Sequence, residues 1–311
     1  MIFIKDGKME TFIITMTYLL AGIAVKKIPD FPLDTGKVLN LFVIYFSLPA
    51  LILIKIPELN FDENLFITAL IPWLCLIFSV ALILIFSKLF NFERDVTGCL
   101  LLLIPLGNTA FFGLPMVNAF YGEQGVPFAL LYDQTGTFLA FTTYGSFILA
   151  VYGKNTLKPT FTNIFKKILV FPPFIALIIA FIFKNFEYPK TFSIIIDSLA
   201  QTLVPLVMIA VGYQLSLRLG NNVKSKLIFG LLLKLILMPL FALFICKISG
   251  FNSFASKISI FQAGMPSMVT AGAMAIMADI KPALAAALVG SGIVLSFASL
   301  PLIFNLINML I

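Results

Sequence analysis

Apolar residues run along this chain in blocks of about 18 to 27 positions, separated by short clusters of charged residues, Pro, Gly and Asn. A helix needs about 20 apolar residues to cross about 30 Å of hydrocarbon. The blocks therefore predict about ten membrane crossings, over residues 9–26, 36–55, 65–88, 95–121, 126–152, 162–184, 191–216, 225–247, 254–279 and 283–309. The first block starts late and has no A-x-A-like end before a polar domain, so a cleaved signal peptide is not expected.

Two blocks carry an interruption where lipid should meet unbroken backbone. The fourth contains IPLGNTAFFGLP at 104–115 and the ninth FQAGMPSMVTAGAMA at 261–275. Asn108 lies at the centre of the 29 positions between Arg94 and Glu123, and Pro266 lies two residues before the midpoint of the ninth block, so both breaks fall near mid-membrane. Proline removes a backbone donor and glycine lets the chain leave helical geometry. Unpaired peptide groups in lipid cost several kcal/mol each, so such breaks persist only inside protein or beside a watery cavity. The two stretches are expected to be unwound crossings facing a substrate site.

Composition supports the membrane assignment: 60% of the 311 residues are apolar, 11% are charged, and the mean hydropathy is +1.07. The chain has no histidine, which excludes a Ser-His-Asp triad and His-based metal sites. Cys75, Cys99 and Cys246 lie singly in apolar runs and read as small buried hydrophobes. No cofactor and no metal are expected, and no enzyme activity. The net charge of +7 comes from basic residues at the ends of the blocks, so they are topology anchors rather than a nucleic-acid surface.

Counting Lys and Arg on alternate sides gives thirteen after the odd-numbered crossings (Lys26, Lys27, Lys37, Lys88, Arg94, Lys154, Lys158, Lys166, Lys167, Arg218, Lys224, Lys226, Lys281) and seven opposite (Lys5, Lys8, Lys55, Lys184, Lys190, Lys247, Lys257). The positive-inside rule puts the thirteen in the cytoplasm and both termini outside. Division at the basic loop gives a first five-helix repeat over 1–152, a cytoplasmic linker over 153–161 and a second repeat over 162–311. An odd number of crossings per half inverts the second half in the membrane. SLPALIL at 47–53 resembles LVPLVMI at 203–209, and the same offset of about 156 carries the break at Gly107 and Asn108 to Gly264 and Met265. The fold class expected is an all-α membrane protein in two inverted five-helix repeats.

Half-helix N-termini at mid-membrane bind an anion without a fixed cation. Asn108 and Thr109 would supply donors and acceptors beside Gly107, and Gln262, Ser267 and Thr270 would do so on the other crossing. Asp133, about 12 Å deep, is either a proton or cation coupling site or a hydrogen-bonded structural Asp beside Gln134 and Thr135. Lys234, too deep to snorkel, would pair with a buried acid, attract an anionic substrate or anchor the moving part. Gln201, near the middle of the seventh crossing, and also Asp197 and Gln214 are candidates to line the cavity from the second half.

GNTAFFGLP in the fourth block, YGEQG after it, LLYDQTGT in the fifth, LPAL in the second, VPLVMIAVGYQL in the seventh and the proline-broken ninth block resemble the auxin efflux carrier family over the whole chain. The resemblance implies a fold similar to bile-acid and sodium/proton transporters, with helices four and nine crossed, a scaffold and a transport domain, a homodimer, and weak organic anions as substrates. It implies that Asn108, Pro115 and Pro266 lie at the substrate site, with Pro49 of LPAL nearby. The long hydrophilic loop of the plant carriers is missing, which argues against regulation by loop phosphorylation.

Four other classes share features with this sequence. Tyr132-Asp133 and Pro282-Ala283-Leu284 resemble elements of intramembrane aspartyl proteases, but the second aspartate in GxGD is missing. No GxxxxGK[ST] loop is present for an ATP-driven pump. A channel fits paired broken helices less well than alternating access does. A sodium-coupled bile-acid-type organic anion symporter shares the inferred fold. Residue bias and short loops suggest the cytoplasmic membrane of a bacterium.

Overall fold

Apolar blocks this long leave the backbone no partner but itself, and in the computed structural model, which describes residues 6–59, 63–154, 160–186, 188–215 and 224–311, these blocks form helices. Lys5, Lys158 and Arg218, counted above for orientation, and residues 155–159 of the expected linker lie outside the described residues.

In chain order the helices are α1 (Asp6–Val25), α2 (Thr35–Glu58), α3 (Glu63–Leu89), α4 (Arg94–Leu103), α5 (Leu114–Tyr121), α6 (126–152), α7 (Phe161–Val170), α8 (Pro172–Ile182), α9 (Lys190–Gln214), α10 (Lys224–Ile248), α11 (Phe254–Ala263), α12 (Val269–Met277) and α13 (Pro282–Leu310). Among the described residues, α2, α3, α9, α10 and α13 are each long and apolar enough to cross a membrane, and α7 with α8 makes a sixth candidate bent by 64°. That bend has a local cause. Phe171 precedes Pro172, and the proline ring holds it in an extended conformation at φ −73° and ψ 117°.

The helices pack as two groups. In the first, α1 lies along α9, α2 packs on α8 and both halves of α9, and α7 packs on α8; the second joins α3, α4, α6, α10, α11, α12 and α13, and α5 lies between the groups, against α1 on one side and α6 and α11 on the other. Glycines set the closest approach in the first group. A Cβ on Gly22 would strike the carbonyl of Ile209, and one on Gly212 the carbonyl of Leu19.

Contacts between loops sort into two sets. In one, Lys154 pairs with Asp279 at 3.0 Å and Asp95 at 3.7 Å, Lys281 with Glu93 at 2.5 Å, Lys26 donates to the Leu215 carbonyl and Tyr213 to that of Pro32. In the other, Lys55 pairs with Glu58 at 3.2 Å and Glu123 at 3.1 Å, Lys184 donates to the Leu59 carbonyl and Lys257 to Asn308. Among the described residues no ion pair joins the sets. Hydrogen bonding to Lys281 holds the Glu93 carboxyl below the usual carboxylate range, and Asp279 holds the Lys154 ammonium above its own.

Candidate functional site

Pro105 cannot continue the α4 hydrogen-bond ladder, and the chain leaves helical geometry there. It re-enters at Asn108, whose carbonyl accepts from the amides of both Phe112 (3.3 Å) and Gly113 (2.9 Å), starting the wide π-helical turn Thr109–Gly113 that runs into α5. On the other segment α11 stops at Ala263 and α12 starts at Val269, with Pro266 between them. The two breaks meet. Gly107 and Ser267 form an antiparallel bridge, flanked by the Asn108 amide donating to the Pro266 carbonyl at 2.7 Å and the Met268 amide donating to that of Leu106 at 3.0 Å. Peptide groups freed by one break are thus satisfied by the other.

A cavity of about 290 Å³ lies on one side of this crossing, between the two helix groups. Ile44 and Leu48 of α2 and Lys167 and Phe171 of the α7–α8 bend wall it from the first group; Asn108, Thr109, Asp133, Phe138, Phe141 and Thr270 do so from the second. Phe138 and Phe171 stack across the boundary, with ring centroids 4.1 Å apart. The size is near the lower end of small-molecule pockets and the lining is mostly apolar, with few polar groups.

Those polar groups are held from behind. Asp133, 5% exposed, accepts from Thr109 Oγ1 at 2.5 Å and from Gln134 Nε2 at 2.7 Å. Gln262 Nε2 donates to the carbonyls of Thr109 at 3.2 Å and Ala129 at 3.5 Å. Its amide fits because position 113 is glycine; a Cβ there would collide with Gln262 Oε1. Gln134 Oε1 and Gln262 Oε1 are buried acceptors without partners, whereas Asn108, 2% exposed, has an unpartnered donor, Nδ2, a state that costs about 1–3 kcal/mol if nothing binds there.

The structure brings Gly107, Asn108, Thr109, Thr270 and Asp133 to one cavity wall. Ser267 and Pro266 form the crossing itself, and Gln262 lies behind it. Pro115 is buried in the first turn of α5, and Pro49 follows the cavity-lining Leu48 in α2. Gln201 is elsewhere. It accompanies Asp197, to which it donates at 2.8 Å, in a second cavity of about 290 Å³ with Lys55, Asn118 and Glu123. Of the two readings of Asp133, its hydrogen bonds supply one partner that was expected, Gln134, and one that was not: Thr109 stands where Thr135 was anticipated, and Thr135 bonds the Leu131 carbonyl instead. Lys234 has no acidic partner among the described residues.

Sequence reading missed Phe138, Phe141, Phe171 and Lys167. Phe171 stands just before Pro172, which marks the bend that carries it and Lys167 to the cavity. The two other phenylalanines had no signal among 34.

A family model described as a membrane transport protein matches residues 9–304. A protein named as an uncharacterized transporter from Methanothermobacter thermautotrophicus is 28% identical over 304 residues, covering 95% of this chain and 97% of that one. Another uncharacterized transporter, from Methanocaldococcus jannaschii, is 26% identical over 271 residues, covering 83% and 85%.

Proposed function

The chain belongs to the membrane transport protein family, and from that premise we propose that it is a secondary active transporter which carries a small organic anion by alternating access. The observation that carries this reading is the buried, unpartnered amide of Asn108 on the wall of a largely apolar cavity. Beside it start α12 and the turn leading into α5. The amides of Thr109–Phe111 and Val269–Ala271, at the first turns of these segments, have no intrahelical acceptor. A carboxylate fits such donors, and the phenylalanine walls fit an apolar body.

The two sets of loop contacts support ten traversals. Each junction between successive crossings belongs to the set expected from alternation, with α4–α5, α7–α8 and α11–α12 each counted as one broken crossing. Inverted five-helix repeats follow from that count. In this reading α1, α2, α7, α8 and α9 are the scaffold, the other group moves, and the two cavities on their boundary are the two access routes. The Asn108 cavity lies toward the Lys154 end, which the positive-inside rule makes cytoplasmic. Asp133 on its wall repels a carboxylate unless it carries a proton, which gives it a coupling role. The homodimer belongs to the same proposal.

A thermal-shift comparison of monocarboxylates with their neutral amides tests the reading. At 100 times its dissociation constant a ligand stabilises by about 2.7 kcal/mol. We expect at least one aromatic or branched acid to raise Tm where its amide does not. Equal responses throughout, or none, would reject the anion site.

A further inference from the structure

Two broken helices bring four helix ends to the crossing, and these ends sort by polarity. The cavity wall holds the N-terminal ends, through Thr109, Phe111, Met268 and Thr270. Behind it a pocket of about 10 Å³, the size of one water, shares Gly107 and Thr109 with that wall and is otherwise lined, at the crossing, by Pro105 after the end of α4 and by Gln262 and Ala263 at the end of α11. These are the carbonyl ends. Lys234 enters this pocket from the π-helical turn Leu233–Leu237 of α10, is 3% exposed, and places Nζ 3.2 Å from where a Gly107 Cβ would stand.

A helix end carries about half an elementary charge, positive at the N-terminus and negative at the C-terminus. Two carbonyl ends therefore sum to about −1, and one ammonium beside them offsets it. With Asp133 protonated, as the proposed function requires of that wall, the two N-terminal ends on the other face are left with about +1, complementary to one carboxylate.

We infer that Lys234 is the fixed counter-charge of the crossing, occupying the place a bound metal cation would take, so that the site accepts a monoanion without sodium. The inference rests on the anion-transport reading for its substrate but not for its charge balance. Lys234 is a positioning residue that acts through the crossing.

The test uses the full chain in detergent, with phenylacetate and phenylacetamide as probes. In choline chloride the wild type is expected to prefer phenylacetate, and exchange of choline for sodium at equal ionic strength should change neither Tm nor the preference. Lys234→Met, which keeps the bulk, should bind phenylacetate at least tenfold more weakly and phenylacetamide as before. Lys234→Ala should be destabilised and regain Tm with methylammonium or sodium, but not with choline. Such rescue reads charge, which a packing role would not show. Rescue without carboxylate binding by the wild type would support the counter-charge while rejecting the substrate reading. Carboxylate binding that requires sodium in the wild type, or is unchanged in Lys234→Met, would overturn the inference, as would absence of cation rescue.

Discussion

Alanine at Asn108 is expected to weaken binding of the preferred carboxylate by about 10- to 100-fold, the loss of one hydrogen bond to a charged group at about 1.5–3 kcal/mol. Stability of the ligand-free protein should not fall, because the substitution removes a buried donor that has no partner there. The hydrogen bonds by which residue 108 maintains the crossing come from its main chain, to Pro266, Phe112 and Gly113, and alanine keeps them. The Nδ2 group removed has no partner within the protein. A dissociation constant and a Tm measured on the same preparation separate the two effects. Unchanged affinity, or a large fall in Tm, would show that the Asn108 amide serves the fold instead.

The largest expected effect on stability lies in the other helix group. Gly212→Leu would drive a side chain into the Leu19 carbonyl, and backbone cannot turn aside as a side chain can. Overpacking costs about 1–3 kcal/mol where neighbours can adjust, and more where they cannot. The facing position, Gly22, is equally closed by the Ile209 carbonyl, so α1 would have to separate from α9. We expect a Tm lowered by several degrees or failure to purify. Leu20, on the outer face of α1 and 58% exposed, should accept alanine with little change. Equal tolerance at both positions would mean that α1 does not depend on this close approach.

Features visible in the sequence were those that a local signal creates. Proline and glycine marked both breaks to within a few residues, because they act on their own backbone. The second break centres on Pro266 and Ser267, slightly beyond the position reached by adding 156, since the bridge pairs Gly107 with Ser267. Asn108 was conspicuous as an amide inside an apolar block. The bend at Phe171 was missed although two prolines follow it, because length alone let 162–184 pass as one helix.

What could not be read depends on which faces meet. Gln201 is polar, central and in a crossing that carries VPLV, yet its side chain turns to Asp197 and the second cavity. The surroundings of Lys234 are set by residues 105, 107 and 262, more than 25 positions away in either direction along the chain. The hydroxyl on Asp133 comes from Thr109 across the break, not from its own helix.

A cryo-EM structure of the protein with the carboxylate that stabilises it most tests the central claim directly. The account predicts density between the Phe138–Phe171 stack and the crossing, with the carboxylate within hydrogen-bond distance of Asn108 Nδ2. Density confined to the cavity beside Gln201 and Lys55, with the Asn108 cavity unfilled, would contradict it.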